Sequence, residues 1–331
     1  HRVWEQDLGT TPQNCRRRCV RAAGRDVLGA SARGRPRRAR PLPLPLPFMR
    51  PKPSSFLVPS VLALAFGAGL AAQALPPVPV PPQNPITPAK ALLGKVLFWE
   101  EQLSSNNRVA CGTCHTFGAG GGDLRRVLHP GADGTSPSPD DHFGSPGIPR
   151  FDANGDYVPH AAFGHAPQVG GRASPGFLVA AWFPELFWDG RASGAFVDPA
   201  TGQTLIPTGG ALETQSLQPL LASDEMAFPG RTLADVEQKL ASVRPLALAS
   251  NLPADMANAI AGGTTYPQLF QAAFGTPDVT AQRIAYALAT YQRTLVPNQT
   301  PYDQFTAGNP AALTMQQAMG LVGLFIIHPK V

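Results

Sequence analysis

The chain has 331 residues, 43% of them hydrophobic and 15% charged, with a formal net charge of +5 and four cysteines. The positive sign belongs to the first segment: from Leu75 onward 14 Lys and Arg stand against 19 Asp and Glu, a net charge of −5, which gives no electrostatic reason to seek nucleic acid. Beyond Leu75 only Cys111 and Cys114 remain, and both belong to one short motif, so a disulfide framework is excluded.

Residues 1–48 begin with His1, are crowded with arginine (Arg16, Arg17, Arg18, Arg35, Arg37, Arg38, Arg40) and finish in the Pro-Leu alternation of Pro41 to Pro47. A nucleic-acid-binding basic arm is one reading of such a run. The other is upstream sequence translated in error, because the following segment has the form of a chain start; on this reading Cys15 and Cys19 have no role. Residues 49–74 pass from Met49-Arg50-Pro51-Lys52 through an apolar stretch, Phe56 to Leu70, to Ala72-Gln73-Ala74. That order is the basic start, apolar core and cleavage site of a secretory signal, with cleavage after Ala74. A membrane anchor is disfavoured, since the apolar stretch is shorter than the roughly 20 residues of a span and contains Pro59. An exported, periplasmic protein with no lasting membrane span is expected.

Pro76 to Pro88 form a linker whose prolines favour extended structure. Helix is predicted after it: Thr87 can cap, Pro88 suits the first helical position, and Leu92, Leu93, Val96 and Leu97 make an apolar stripe. Shorter helical patterns occur at Leu233 to Leu240 and Tyr266 to Phe274. The clearest runs from about Thr280 to Leu295, with Ile284, Leu288, Tyr291 and Leu295 on one face and Gln282, Arg283, Gln292 and Arg293 elsewhere. No convincing alternation of β-type residues stands out. The expectation is an all-α fold held round a cofactor, with long Pro/Gly-rich loops.

Residues 111–115 read Cys-Gly-Thr-Cys-His, the C-x-x-C-H signature of covalently bound haem c. Two thiols about one helical turn apart can reach the two vinyl groups on one edge of a porphyrin, and the next residue, His115, can turn its imidazole to the iron. The competing readings are a redox dithiol, a zinc half-site or chance. A thioredoxin-type dithiol wants a βαβ frame, whereas Ser104-Ser105-Asn106-Asn107 and Gly118 to Gly122 flank this motif. A zinc site wants a second ligand pair, and no cysteine lies downstream.

Leu93-Gly94-Lys95-Val96-Leu97-Phe98, the haem motif with its glycine-rich turn, Phe187-Trp188-Asp189-Gly190-Arg191-Ala192, Asp224-Glu225-Met226, and Ile284 to Leu295 followed by Pro301-Tyr302-Asp303 occur in this order. The chain thereby resembles the bacterial di-haem cytochrome c peroxidases and their MauG-like relatives from about Leu92 to Phe325. The resemblance implies a cytochrome c-like peroxidatic domain over residues 75–296, with haem held by Cys111, Cys114 and His115. Gly164-His165-Ala166-Pro167-Gln168-Val169-Gly170-Gly171-Arg172 matches the family's distal-histidine loop, G-H-x-x-x-x-G-x-R, which makes His165 the second iron ligand at rest. The residues by themselves do not separate His165 from His129, His142 and His160. Glu225 matches the acid-base glutamate over the distal face, where a carboxylate can take a proton from one peroxide oxygen and return it to the other; a solvated loop carboxylate is the alternative. Gln215 matches a glutamine that hydrogen-bonds the bound peroxide, or is an ordinary helix-surface residue. Trp188 matches a tryptophan between two haems, or is a core aromatic. Asp189 and Arg191 are expected to support that loop by pairing.

Asp152-Ala153-Asn154-Gly155-Asp156 has the oxygen-ligand alternation of a calcium loop, but an EF-hand's glycine would fall at Tyr157 and its closing glutamate at Phe163, so a turn-rich insertion is expected. The resemblance also implies calcium between domains, through an asparagine where this chain has Ala173. It implies a second C-x-x-C-H after the segment matching Gly320 to Phe325; here Ile326-Ile327-His328-Pro329-Lys330-Val331 follow, so residues 297–331 are expected to be the truncated start of a second haem domain. The implied activity is reduction of hydrogen peroxide to water, with electrons from a small cytochrome or copper protein, and possible pairing into a homodimer. A MauG-like oxidase of a protein substrate and a mono-haem electron carrier are the alternatives.

Overall fold

The computed structural model describes residues 75–323. Residues 1–74, which include the arginine-rich segment and the expected secretory signal, and the residues from 324 on lie outside the described part, as do the expectations that fall on them.

Helix α1, Pro88–Phe98, starts as its sequence implies: Thr87 is the N-cap, its side chain accepts from the Lys90 amide, and Pro88 opens the first turn. The one-turn helix α2 is Cys111–Cys114. After the loop region come α3 (Ala211–Leu217), α4 (Leu233–Ser242), α5 (Ala254–Ala259), α6 (Tyr266–Phe274), α7 (Ala281–Thr294), α8 (Pro301–Thr306) and α9 (Met315–Val322). Thr232, Thr265 and Thr280 cap α4, α6 and α7, each satisfying an otherwise orphaned amide of the first turn.

The core is built on α1 against α7, the most extensive helix contact. Leu93, Val96, Leu97 and Phe98 meet Ile284, Ala285, Ala287, Leu288 and Tyr291, all buried. The helices approach closely because Gly94 lies against α7, where a Cβ at residue 94 would come within 1.9 Å of the Ala287 carbonyl oxygen. Leu269 and Phe270 of α6 and Met256 of α5 extend this core, and Ala211 and Leu212 of α3 close its other flank.

The all-α expectation holds only roughly. Between residues 127 and 206 the chain forms three two-stranded antiparallel sheets: β1 (Val127–His129) with β2 (His142–Gly144), β3 (Pro146–Pro149) with β4 (Pro167–Val169), and β5 (Phe196–Val197) with β6 (Thr204–Ile206). Strands this short cannot carry a visible period-two pattern, and Pro146, Pro149 and Pro167 further mask them. They form because the chain folds back on itself and pairs.

A second difference concerns α7. Gln292 and Arg293, which lie off its apolar face by pattern, are nevertheless buried. Arg293 makes a two-pronged ion pair with Glu213 of α3 (Nη1 to Oε1 2.6 Å, Nη2 to Oε2 2.9 Å) and donates to the carbonyls of Pro79 and Gly209. The Asn84 amide donates to Glu213 Oε1 at 2.9 Å, and Lys90 Nζ donates to Asn84 Oδ1 at 2.9 Å. This polar network straps the proline-rich segment across α3 and α7.

Candidate functional site

The turn Cys111–Cys114 is closed by the His115 amide, which donates to the Cys111 carbonyl at 3.0 Å, while Thr113 Oγ1 accepts from the Ala110 amide at 2.9 Å. It sits directly on Trp99, where a Cβ at Gly112 would lie 2.2 Å from ring carbons. Both cysteines are unbridged and half-buried. Burial pushes the Cys111 thiol up to about 12. Burial also raises Cys114, to about 11, against the opposing charge of Arg125.

His115 Nδ1 lies 2.9 Å from the Gly121 carbonyl oxygen, an acceptor, so Nδ1 carries the proton and Nε2 the lone pair. Burial lowers the pKa of this imidazole and favours the neutral form that ligates metal, while the Gly121 carbonyl and the Asp123 carboxylate act in the opposite sense. The ring of Phe177 stands edge-on to His115 at 5.5 Å and contacts Phe98 and Phe117 at 5.3 and 5.9 Å, forming an aromatic wall beside it. Two unbridged thiols on one turn, followed by a histidine whose tautomer is fixed through its other nitrogen, form a donor set that fits covalent haem c. Among the described residues no group of three or more His, Cys, Asp and Glu side chains could hold a metal ion by itself.

Beside the thiols lies the loop carrying Glu225. Its side chain reaches solvent but is embedded in protein: desolvation, followed by the neighbouring Asp224 charge, pushes its pKa up to about 7, with Arg191 opposing. The same carboxylate acts electrostatically on both Cys111 and Cys114. The loop is held on two sides. The Ser105 amide donates to the Met226 carbonyl at 2.8 Å, and Ser105 Oγ accepts from the Phe228 amide at 3.0 Å. Gln168 of β4 donates its side-chain amide to the Ser223 carbonyl at 2.7 Å. The small β3–β4 sheet, missed by pattern reading, therefore buttresses this loop.

The other residues singled out by sequence are placed as follows. Asp189 and Arg191 pair at 3.0 Å, and the Arg191 guanidinium lies 3.5 Å from the Phe187 ring centroid, so this loop is internally braced as expected. Its Trp188 is 76% exposed, which removes the core-aromatic reading, and the Arg172 guanidinium lies 4.8 Å from its ring centroid. The field of Arg191 at Glu225 brings this loop, the Glu225 loop and the thiols into one neighbourhood. Gln215 is half-buried on α3. His165 is exposed on a turn that follows the paired His160 and Gly164, and makes no hydrogen bond or ring contact with His115. Asp152 Oδ1 accepts from the amides of Asn154 and Asp156 at 2.9 and 3.0 Å, so its carboxylate closes a turn, in line with the turn-rich insertion.

Sequence reasoning missed Trp99, the floor of the Cys111–Cys114 turn, and the pair Asp123 and Arg125 beside Cys114. Arg125 Nη2 lies 3.1 Å from Cys114 Sγ and 2.8 Å from Asp123 Oδ2. Opposite charges two residues apart are too common to signal a site.

The family model described as di-haem cytochrome c peroxidase matches residues 88–311. The methylamine utilization protein MauG of Methylophilus methylotrophus is 29% identical over 243 residues, covering 73% of this chain and 50% of that protein. The cytochrome c551 peroxidase of Pseudomonas aeruginosa is 28% identical over 252 residues, covering 73% of this chain and 51% of that protein. Among solved structures, a MauG-like protein associated with microbial copper homeostasis matches at 22% identity and a TM-score of 0.45, covering 76% of this chain and 53% of that one. The chain spans about half the length of the curated relatives it matches.

Proposed function

Because this chain belongs to the di-haem cytochrome c peroxidase family, we propose that it is an exported, periplasmic enzyme that reduces hydrogen peroxide to water at a haem c held by Cys111, Cys114 and His115. The observation that carries this reading is the placement of Glu225: a carboxyl pushed up to about 7 by desolvation, on a loop held by Ser105 and by Gln168 of β4, whose charge reaches both haem-linking thiols. When bound, the haem supplies the redox-active iron that binds peroxide and passes electrons to it. The protein's part is to fix that chemistry and to move protons.

His115 would offer Nε2 to the haem iron, with its ring orientation set by the Nδ1 bond to Gly121 and the Phe177 edge. Glu225, divided between base and acid near neutral pH, takes the proton from the inner peroxide oxygen and hands it to the outer one, which leaves as water. Gln215 is proposed to hydrogen-bond the peroxide. His165, exposed on its turn, is proposed to cap the iron at rest and swing away on activation. Electrons are proposed to arrive from a small cytochrome or copper protein, with Trp188 on their path. Calcium is not assigned, since Ala173 replaces the expected asparagine.

A second reading, MauG-like oxidation of a protein substrate, draws support from the MauG relative and from the 76% exposure of Trp188, an oxidisable ring at the surface. The deciding experiment is steady-state peroxide consumption by the chain and its Glu225→Gln variant. The variant is expected to keep its covalent haem and lose about 10²–10⁴-fold in turnover. Unchanged turnover would remove the proton-transfer role from Glu225.

A further inference from the structure

Asp123 is wholly buried at its side chain, and its carboxylate lies beside the haem-binding motif, where its charge acts on both His115 and Cys114. A buried carboxylate needs compensation, and Arg125 provides it in a fixed two-pronged arrangement: Nη2 to Oδ2 at 2.8 Å and Nε to Oδ1 at 3.1 Å. The Arg125 backbone amide adds a third bond to Oδ1 at 2.8 Å. The guanidinium is also anchored on its far side. Nη2 lies 3.1 Å from Cys114 Sγ and 3.2 Å from the Pro146 carbonyl oxygen of β3, so the positive end of the pair touches the sulfur that carries the haem.

We propose that Asp123 and Arg125 act as a matched charge pair that sets the reduction potential of the haem, the carboxylate holding it down and the guanidinium holding it up. This rests on the haem reading of Cys111, Cys114 and His115. The physical basis is Coulombic. Reduction adds one electron and lowers the charge at iron, so a nearby negative charge stabilises the oxidised form and a nearby positive charge the reduced form. In a partly buried site such fields are weakly screened. Burial, outer hydrogen bonds and local charge are the levers a protein has over a haem's potential. Asp123 and Arg125 are positioning residues here and take no proton or electron themselves.

The test is spectroelectrochemical titration of the haem-loaded chain and four variants. Asp123→Asn is expected to raise the midpoint potential, because the guanidinium is left uncompensated at Cys114. Arg125→Gln is expected to lower it, because the buried carboxylate is left uncompensated near His115. The double variant is expected to return close to the starting value, and Arg125→Lys, which keeps the charge, to shift it least. Purely structural damage moves both single variants the same way and leaves the double variant worst. That pattern, or no shift in either single variant, overturns the proposal. If Arg125→Gln yields no folded holoprotein, an unchanged or lowered potential in Asp123→Asn is by itself enough to overturn it. Lack of covalent haem on the unmodified chain, read by mass and haemochrome spectrum, would instead remove the haem reading on which the pair depends.

Discussion

Gly112 shows how much of the site depends on single atoms. A methyl group there meets the buried Trp99 ring at 2.2 Å, so Gly112→Ala must displace either the indole or the whole turn. Overpacking of this kind costs about 1–3 kcal/mol, and the variant is expected to show a lower Tm and a reduced yield of covalent haem, measured by thermal unfolding and haemochrome absorbance. Glu225 makes a prediction of a different kind. Its folded pKa is raised, so in the proposed proton-transfer role the base form is lost as pH falls through about 7, and kcat/KM is expected to fall with it. In Glu225→Gln that acid limb should vanish. The same shift has a stability sign: ionisation is disfavoured in the fold, so stability declines as pH rises from the ordinary glutamate range to about 7. The glutamine variant is expected to flatten that decline in denaturant titrations. The motif formed by Cys111, Cys114 and His115 was legible because it lies within five consecutive residues. The elevated pKa of Glu225 was not, because desolvation comes from neighbours distant in sequence.

Helices α1, α6 and α7 were read from sequence close to where they lie, with Thr87 named as the N-cap of α1. What spacing could not reveal was the burial of the far side of α7. Arg293, 3% exposed, is enclosed by partners from α3 and the proline-rich segment, and Glu213 is fully buried opposite it. Removing one member of such a pair leaves an uncompensated buried charge, so Glu213→Ala is expected to destabilise the protein by about 3–5 kcal/mol. Replacing both with methionine should recover most of the loss, as chemical denaturation of the two variants can establish. A helix with neighbours on several sides has no solvated face to reveal, and its polar residues read as surface until their partners are known.

Across the whole molecule, the acidic balance of residues 75–331 bears on the proposed electron donor. With a basic cytochrome as donor, the second-order rate of haem reduction is expected to fall as ionic strength rises, because the attraction is screened; stopped-flow measurements across a salt series check this. A rate indifferent to salt would argue against electrostatic docking. Among the described residues no helix is long and apolar enough to cross a membrane.

The haem motif, the acidic character of the segment that carries it, the main helices and the family resemblance were all determined by the sequence, since each depends on residue identity at short, fixed spacing. Tertiary structure decided the rest: that Trp188 is a surface residue, that the small β3–β4 sheet braces the Glu225 loop, that Arg293 is a core residue, and that Asp123 and Arg125 sit at Cys114. Burial, desolvation and charge compensation depend on which distant segments meet, and local spacing carries no record of those meetings.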